Sequence, residues 1–432
     1  MLGMGKTFRP YVPEQRLLLP PSVEDWVPEG HLARFFSDVV NDLDLSAIES
    51  AYGEERGYPP YDPRMMTKVL LYAYASGVYS SRRIAARLVE NVPFRYLAAE
   101  NQPDFRTINR FRKQHGVALS QLFSQVVRLC RGAGLVRLGR VAVDGTKIKA
   151  NASKHKAMSY GRMKDKEKQL ERDIQAWLKK SDEIDAQEDR HYGKDKSGDE
   201  LPAELATREG RLKKIREAKA ALEAEAREKA RSEGKDPAGA KPPDKAQRNF
   251  TDPESRIMKG NDGFVQGYNA QVAVDGHSQV IVGQHVTDAA PDAEQLLPVI
   301  NAVGRLLKRR PKEVLADAGY YSEANVTELQ KRGIEPFIAT RRLKHQEELP
   351  VAPRGRIPTG LSTRERMERK LRTVRGRATY ALRKVIPEPV FGQIKHARGF
   401  RQFLRRGLSN VSQEWSLICT AHNLLKLYAA TT

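Results

Sequence analysis

Cysteine and long apolar segments are scarce in this sequence. The 432 residues include only two cysteines, Cys130 and Cys419, which excludes a disulfide-rich secreted fold and indicates buried thiols in a reducing compartment. No apolar run approaches the roughly 18 to 20 residues that a membrane-spanning helix requires. The first residues also lack the apolar core of a signal peptide. We therefore expect a cytoplasmic protein without a membrane partner.

Acidic residues are too few to balance the basic ones. The chain has 54 Asp and Glu residues against 75 Lys and Arg residues, which gives a formal net charge of +21. A surplus of this size points to a polyanionic partner such as nucleic acid, although ribosomal and membrane-surface proteins share it. The hydrophobic fraction of 40% and the chain length are enough for two or three folded domains.

Residues 1–136 have the pattern of a helical N-terminal DNA-binding domain. Asp62 stands as an N-cap before Pro63 at a first helical position. A second helix follows after a tight turn, with Ile84 and Leu88 on its apolar face, which is typical of a helix-turn-helix. A helical bundle with solvated arginines is the alternative. If the apolar face of this second helix is buried, Arg82, Arg83 and Arg87 are exposed. The predicted phosphate contacts are Arg82, Arg83, Arg87, Arg106, Arg110, Arg112 and Lys113.

The segment 157–249 differs from the rest of the chain in composition. It is rich in Lys, Glu, Arg and Ala, and its apolar residues form two stripes at heptad spacing, separated by a polar stretch at 190–202. This pattern predicts an inserted helical hairpin of two antiparallel helices; a solvated charged linker is the alternative. The stripes consist of Met163, Leu170, Trp177 and Ile184, and then of Leu205, Leu212, Ile215, Leu222 and Ala226.

Without that insertion, the predicted elements follow the order strand, strand, strand, helix, strand, helix, strand, helix. An antiparallel meander followed by βα units is the order of the RNase H-like fold, with right-handed crossovers between the parallel strands. We therefore predict an α/β protein in which residues 137–156 and 250–432 form an RNase H-like catalytic domain. The first and fourth strands are neighbours in this topology.

Two strand-like segments end on an aspartate, Asp144 in RVAVD and Asp317 in EVLAD. Active sites of open α/β sheets lie at the carboxyl ends of strands, so we expect the two carboxylates to converge. Because like charges repel, such a pair needs a cation, and Mg²⁺ prefers hard oxygen ligands. Two such ions assist an in-line phosphoryl displacement. Alternatively, Asp144 only opens a turn with Gly145.

A third carboxylate is expected from the C-terminal helices. Glu388, Gly392 and Lys395 recur at i, i+4 and i+7, the spacing of one helical face. Glu388 would face the metal ions, Gly392 would admit a phosphate or the neighbouring sheet, and Lys395 would meet the DNA backbone. The alternative for Glu388 is an acid in the first turn of a helix, where the helix dipole favours it.

Four segments together resemble the catalytic blocks of bacterial insertion-sequence transposases of the DDE class. They are VAVDGTKIKANAS, GYNAQVAVD, LADAGYYS and EPVFGQIK, which begin at residues 141, 267, 315 and 388. The helical segment after Asp62 is similar to the N-terminal domain common in these enzymes. The resemblance implies that Asp144, Asp317 and Glu388 form a metal-binding catalytic triad for Mg²⁺, with Mn²⁺ able to substitute.

A branch of this family adds a Tyr-Arg-Glu-Lys signature, which Tyr380, Arg383, Glu388 and Lys395 match in residue type. The gap between the arginine and the glutamate is one residue longer than usual, and Lys384 stands in the usual arginine position. The resemblance implies that the tyrosine and the arginine contact phosphates of the DNA ends and that the lysine contacts the DNA backbone.

The resemblance also implies an activity and its partners. The expected enzyme binds the terminal inverted repeats of its mobile element, cleaves the strands there and joins them to target DNA. It would act as a homodimer on double-stranded DNA in the bacterial cytoplasm, associated with the nucleoid. An RNase H-like nuclease without strand transfer is one alternative. A domesticated, inactive DNA-binding protein is another, and the intact Asp144, Asp317 and Glu388 argue against it.

Overall fold

The computed structural model describes residues 22–52, 59–153, 156–192, 203–260, 263–341, 351, 355 and 358–431. Within these ranges the chain has a mixed α/β architecture, in which a helical layer packs with one mixed sheet and two long helices are inserted. Of the turn predicted at 190–202, residues 193–202 lie outside the described residues, and residues 190–192 belong to the first inserted helix.

The N-terminal layer is helical, and two of its helices begin where capping residues predict. The Asp62 carboxylate accepts a hydrogen bond from the Met65 amide at 2.8 Å, and the Asp104 carboxylate accepts one from the Thr107 amide at 2.6 Å. After a 3₁₀ turn at Val23–Trp26, the helices are α1 (Leu32–Asp42), α2 (Ser46–Glu49), α3 (Pro63–Ala75), α4 (Ser81–Glu90), α5 (Val92–Leu97), α6 (Phe105–Gln114) and α7 (Gly116–Gly132).

The central sheet combines antiparallel and parallel strands. Its members are β1 (Arg140–Lys149), β4 (Arg256–Gly260), β5 (Gly263–Asp275), β6 (Ile281–Thr287), β7 (Glu313–Ala316) and β8 (Glu335–Ile338), while β2 (Ala157–Ser159) and β3 (Gln247–Asn249) form a separate pair. β5 pairs antiparallel with β1 on one side and with β4 and β6 on the other. β1 pairs in parallel with β7, and β7 pairs in parallel with β8. The order is therefore β6-β5-β1-β7-β8, with β4 beside the first part of β5.

The inserted segment forms two helices with a core of their own, α8 (Tyr160–Tyr192) and α9 (Ala203–Ser232). The contacts Tyr160–Glu223 and Glu171–Arg216 show that the two helices run antiparallel. A separate buried cluster contains five of the predicted stripe residues, namely Met163, Leu170, Leu212, Ile215 and Leu222. The side chains of three others, Trp177, Ile184 and Leu205, lie outside the described residues.

Replacing residues 160–246 by a short Gly/Ser linker should leave the rest of the protein folded. β2 and β3 pair antiparallel, and the Tyr160 amide donates to the Ala246 carbonyl at 2.8 Å. The two ends of the insertion are therefore adjacent, and a short linker closes them at little entropic cost. Circular dichroism and thermal unfolding of the shortened protein check this. Insolubility or loss of the α/β spectrum would show that the insertion belongs to the main core.

The remaining helices pack on the sheet. They are α10 (Leu296–Leu307), α11 (Glu323–Lys331), α12 (Thr363–Arg372), α13 (Val374–Val385), α14 (Pro387–Gly392) and α15 (Leu408–Thr431), with a π-helical turn at Gln393–Ala397. α10 packs on β5 and β6, α13 on β7 and β8, and α14 on β1 and β5. None of the described helices combines the length and the apolarity needed to cross a membrane.

α15 lies in the interior of the molecule. It packs against α3 and α7 of the N-terminal layer and also against β6 of the sheet, and Trp415, Ile418 and Leu424 are at most 1% exposed. One continuous cluster of buried hydrophobic side chains extends from Val27 in the helical layer, through the sheet, to Leu427 of α15. The described part of residues 22–136 therefore shares its core with the C-terminal helix. The division into domains stays a prediction.

Candidate active site

Asp144 lies in the middle of a strand, so the expectation that its strand ends there is wrong. β1 continues to Lys149, because its backbone pairs with β5 as far as the partners Lys149 and Gly267. This pairing holds the polar half of β1 extended. The Asp144 carboxylate accepts a hydrogen bond from the Gly145 amide at 2.8 Å, but Gly145 is itself a strand residue. The alternative in which Asp144 opens a turn is thereby excluded.

Asp317 directly follows β7 and lies level with Asp144. β1 and β7 pair in parallel with Ala142 opposite Leu315, and two further residues along each chain lead to the two aspartates. The Asp317 carboxylate caps a 3₁₀ turn by accepting a hydrogen bond from the Gly319 amide at 2.8 Å. The structure thus brings together two of the three predicted acids.

The surroundings of Asp144 oppose its negative charge. Burial raises the pKa of Asp144 to about 6, and the Asp317 carboxylate also raises it, whereas the Gly145 amide and the Arg383 guanidinium lower it. A nearby cation would offset both the burial and the repulsion between the carboxylates. Because the pair offers hard oxygen donors, it fits a divalent cation such as Mg²⁺ or Mn²⁺.

Tyr380 and Arg383 of α13 interact electrostatically with the aspartate pair. Burial raises the pKa of Tyr380, while Arg383 lowers it and Asp317 raises it. The Arg383 Cζ is 5.6 Å from the centre of the Tyr380 ring, and the Arg383 Nε is buried without a hydrogen-bond partner among the described residues. Lys384, in the usual arginine position of the family signature, is exposed. Arg383 is therefore the cation of this pair that acts on Asp144.

Lys395 reaches β1, where its Nζ donates to the Thr146 Oγ1 at 2.6 Å. Thr146 shares a face of β1 with Asp144, since strand side chains alternate. The expectation of one regular helical face through Glu388, Gly392 and Lys395 is wrong, because the π-helical turn after α14 changes the periodicity. A Cβ added at Gly392 would meet no atom within 4 Å, so this glycine is not required by a close approach to the sheet.

Glu388 is exposed in the first turn of α14. Within the described ranges, no three His, Cys, Asp or Glu side chains are grouped so that they could hold a metal ion. The position suits the alternative in which the helix dipole favours an acid there. The role of Glu388 as a third metal ligand therefore stays a prediction.

Asp292, which the sequence analysis did not select, is the shared acceptor of a polar network formed with side chains of β1 and β5. Its Oδ1 accepts hydrogen bonds from the Lys147 Nζ at 2.9 Å, the Asn269 Nδ2 at 2.7 Å and the Gln271 Nε2 at 2.9 Å. Gln271 in turn accepts a hydrogen bond from the Tyr320 hydroxyl. A signal for this network was available, because Asn269 and Gln271 are polar residues at alternate positions of an otherwise apolar strand.

The network also approaches the aspartate pair. A Cβ added at Gly319 would lie 2.9 Å from the Asp317 Oδ1 and 3.5 Å from the Asp292 Oδ2. The two carboxylates therefore flank the space beside Gly319, and any side chain there would crowd them. Asp292 also contributes to raising the pKa of Asp144, although burial is the main cause.

The change Asp292→Ala should lower the free energy of unfolding by about 1–3 kcal/mol. It removes the shared acceptor of three donors, two of which belong to the buried Asn269 and Gln271. Urea unfolding checks this, with the exposed Glu294→Ala as the control, for which we expect a change below about 0.5 kcal/mol. Equal stability of the two variants would contradict a structural role for Asp292.

Most of the predicted N-terminal DNA contacts are exposed, and several line one groove. This α4–α6 groove has a volume of about 590 Å³ and is bordered by Leu404 from the C-terminal region. Its exposed cations are Arg82, Arg106, Arg110 and Lys113. The other two predicted contacts on α4, Arg83 and Arg87, are exposed but do not line the groove.

Arg112 is buried, so its prediction as a DNA contact is wrong. It follows the buried Ile108 by four residues, which places it on the apolar face of α6. Its guanidinium donates to the Tyr74 hydroxyl at 3.1 Å, the Tyr79 carbonyl at 3.0 Å and the Ser81 hydroxyl at 3.3 Å. Arg112 therefore fixes the turn between α3 and α4.

One stretch of chain joins the α4–α6 groove to the aspartate pair. Lys395 contacts Thr146 of β1, as described above. Further on, the Gln402 side chain donates to the Ala150 carbonyl at 3.0 Å, and the Phe403 amide donates to the Lys149 carbonyl at 2.8 Å. The next residue, Leu404, borders the groove. Residues 395–404 thus run beside the second half of β1 from the site to the groove.

Two family comparisons cover most of the chain. Residues 21–114 match the sequence model of the family described as "Transposase domain (DUF772)", and residues 236–424 match that of the family described as "Transposase DDE domain". The second match includes Asp317 and Glu388. Asp144 lies before it, on the other side of the long insertion.

A segment of 73 residues is 42% identical to a protein of Burkholderia cepacia described as "Putative transposase for insertion sequence element IS402". The segment is 15% of this chain and 32% of that relative, so the match spans about a third of the relative's length. No solved structure matches the chain. The two family matches and this relative together support a bacterial insertion-sequence transposase of the DDE class.

Proposed function

We propose that the protein is a DNA transposase that binds the terminal inverted repeats of its mobile element and catalyses metal-dependent strand cleavage and strand transfer. The observation that carries the proposal is the pair of level carboxylates, Asp144 and Asp317, together with Arg383, which acts on Asp144 and whose Nε is buried without a hydrogen-bond partner among the described residues. The carboxylates suit a divalent cation, and a guanidinium donor without a protein acceptor suits a phosphate oxygen. Phosphoryl transfer on DNA uses both a divalent cation and a cationic group that binds a phosphate oxygen.

An RNase H-like core is the fold that we propose for the sheet and its helices. The support is the strand order, in which three antiparallel strands in the order β6-β5-β1 are extended by two parallel strands, β7 and β8. The crossover helices α10 and α11 lie between the later strands in the sequence. This is the order predicted from the sequence once the insertion is left out.

Asp144 and Asp317 are the proposed metal ligands, and Glu388 is the third by resemblance. A bound Mg²⁺ or Mn²⁺ would supply Lewis acidity at the phosphate and lower the pKa of an attacking water. The chain's own cations orient the DNA: Arg383, beside Tyr380, holds a phosphate oxygen next to the aspartates. Lys395, aligned by Thr146, neutralises a neighbouring phosphate.

The α4–α6 groove is the proposed site of end recognition. Its four exposed cations suit phosphate contacts, which position a duplex. Residues 395–404 lead from this groove to the aspartates, so a duplex held in the groove has a path along β1 to the site. A terminal repeat bound in the groove would therefore present its end near Asp144 and Asp317.

Incubation of the purified protein with inverted-repeat duplexes and Mg²⁺ tests the proposed function. We expect cleavage at the repeat ends and, with a pre-cleaved end and a target plasmid, joined products. Cleavage without joining would favour a nuclease without strand transfer. Binding without cleavage in Mg²⁺ and in Mn²⁺ would favour an inactive DNA-binding protein, and absence of both would contradict the proposal.

The inserted hairpin is the proposed contact of a homodimer on DNA. Its outer surface is strongly charged, and its apolar residues are used between α8 and α9. The protein with residues 160–246 replaced should then bind one repeat end without forming the complex of two protein copies that the full chain forms. Sedimentation of the DNA complexes checks this, and an unchanged two-copy complex would assign the dimer contact to another surface.

A further inference from the structure

A second basic surface lies at the far end of α10 from the aspartates. It surrounds a cavity of about 1070 Å³ and includes one acid, Glu328. α10 begins four residues after Asp292, and its 12 residues span about 18 Å, so the surface is on the order of 20 Å from the proposed active site. We call it the α10 surface, and its cations are Arg305, Lys308, Arg309, Arg310 and Arg332.

Helix capping does not account for all of these cations. Basic side chains are favoured at a helix C-terminus because they bind its last carbonyl groups. In α10, however, the Leu307 carbonyl accepts from the Arg131 Nη1 at 3.0 Å, and the Gly304 carbonyl accepts from the backbone amide of Lys308 at 2.9 Å. Arg310 donates to the Arg332 carbonyl at 3.1 Å after α11. The side chains of Arg305, Lys308 and Arg309 therefore take no part in binding these carbonyl groups.

These three side chains are exposed, and none has a hydrogen bond or an ion pair within the part of the chain that the structure describes. The single acid, Glu328, is paired with the Arg332 Nε at 2.7 Å. Arg305 lies in the last turn of α10, Lys308 caps the helix with a left-handed backbone conformation, and Arg309 follows it. Three like charges so close in the chain repel one another. The arrangement has a cost for the isolated protein, and a bound polyanion would remove it.

We propose that the α10 surface binds the phosphate backbone of a second DNA duplex, distinct from the duplex in the α4–α6 groove. Guanidinium and ammonium groups are the usual partners of phosphate oxygens. The described lining of the cavity contains no Phe, Tyr or Trp on which the bases of a single strand would stack. This favours a duplex over single-stranded RNA. The proposal rests on the proposed function only for the identity of that duplex, which is target DNA.

Binding of a fluorescent duplex without inverted repeats to the full-length protein tests the inference. In the variant with Arg305→Gln, Lys308→Gln and Arg309→Gln, we expect at least about a tenfold loss of affinity at low salt. The slope of log affinity against log salt should fall by about 2 to 3, at roughly 0.9 for each lost phosphate contact. The thermal unfolding midpoint should change little, because the three side chains are exposed.

A matched control removes the same charge elsewhere. The changes Arg128→Gln, Arg137→Gln and Lys259→Gln lie on exposed positions outside the α10 surface, the α4–α6 groove and the inserted hairpin, and we expect less than a twofold change in affinity. An equal loss in both variants would show that net charge alone is responsible, and would overturn the inference. So would unchanged binding by the α10 variant, or a loss confined to a single-stranded RNA probe.

The outcome is independent of the proposed catalytic function. If the α10 variant loses duplex binding while the unaltered protein cleaves no repeat ends, the surface assignment stands and the proposed transposition fails. If the unaltered protein cleaves and joins repeat ends while the α10 variant binds the second duplex as well as it does, the surface assignment fails. If both assignments hold, the α10 variant should cleave repeat ends normally and lose joining to target DNA by at least about tenfold.

Discussion

Changing Asp144 or Asp317 to alanine should reduce strand cleavage at least about 10³-fold and change the affinity for terminal-repeat DNA less than about twofold. Ligands of a divalent cation are worth several kcal/mol in a phosphoryl transfer, and each 1.4 kcal/mol is about a factor of ten in rate. The affinity comes instead from phosphate contacts elsewhere. Cleavage of end-labelled duplexes in Mg²⁺, together with equilibrium binding of the same duplexes, measures both quantities.

Two further variants separate chemistry from folding. Asp144→Asn keeps the side-chain volume and removes a buried charge that lies beside Asp317, so its unfolding midpoint should not be lower than that of the unaltered protein. Glu294→Ala changes an exposed acid near the site and should cleave normally. An Asp317→Ala protein that nicks repeat ends at the normal rate would remove the basis of the proposed site.

Glu388→Ala tests the member of the triad that the structure does not group with the other two. If Glu388 is the third metal ligand, its loss should match that of the aspartates. Normal cleavage by this variant would leave the aspartate pair in place and assign the third position to another acid. Asp292, whose Oδ2 lies beside Gly319 with Asp317, would then be the next candidate, and Asp292→Asn would test it.

The convergence of Asp144 and Asp317 was predictable because it depends on strand order. Apolar runs and turn residues mark the strands locally, and the parallel pairing of the first and fourth strands follows from their order. The extent of β1 was not predictable in the same way. Its second half, GTKIK, is mostly polar and carries no clear strand pattern. It stays extended because it pairs with β5, which is distant in the sequence.

The errors around the site also have physical causes. A regular helix was assumed after Glu388, whereas a π-helical turn carries Lys395 to Thr146, and no residue type marks such a turn. Arg112 was selected for its charge, although its spacing from Ile108 assigns it to the buried face. Asp292 was overlooked because an acid just before a helix is common, and only the fold shows which polar side chains it meets.

Residues 1–136 expressed alone should not fold, although the sequence pattern suggests a domain. Their apolar surface is covered by α15, which lies against α3 and α7. Fully burying a large apolar side chain contributes about 1.5–3 kcal/mol, and a whole domain is stable by only about 5–15 kcal/mol. α15 buries six large apolar side chains between these helices and the sheet, so removing it takes away a stabilisation comparable to that of a small domain; they are Val411, Trp415, Leu417, Ile418, Leu424 and Leu427.

The fragment is compared with the same fragment joined by a Gly/Ser linker to residues 405–431. We expect cooperative thermal unfolding, and binding to repeat DNA with a steep salt dependence, only when α15 is present. A cooperatively unfolding fragment 1–136 would show that its helices close their core without the C-terminal helix. Equal binding of repeat and scrambled DNA by the joined protein would move end recognition to another part of the chain.

The same dependence should appear in the full-length protein through a single side chain of α15. Trp415 is completely buried, and its indole Nε1 donates to the Gln271 carbonyl of β5 at 3.3 Å. Trp415→Ala leaves a large cavity between the helical layer and the sheet and should cost about 3–5 kcal/mol. The exposed Ser409→Ala on the same helix should change stability by less than about 0.5 kcal/mol.

Because β5 also carries Gln271 and Asn269 of the Asp292 network, loosening this contact should lower the stability of the helical layer and of the site together, in one unfolding transition. Two separate transitions in urea would show that the layers fold independently and would contradict the continuous core.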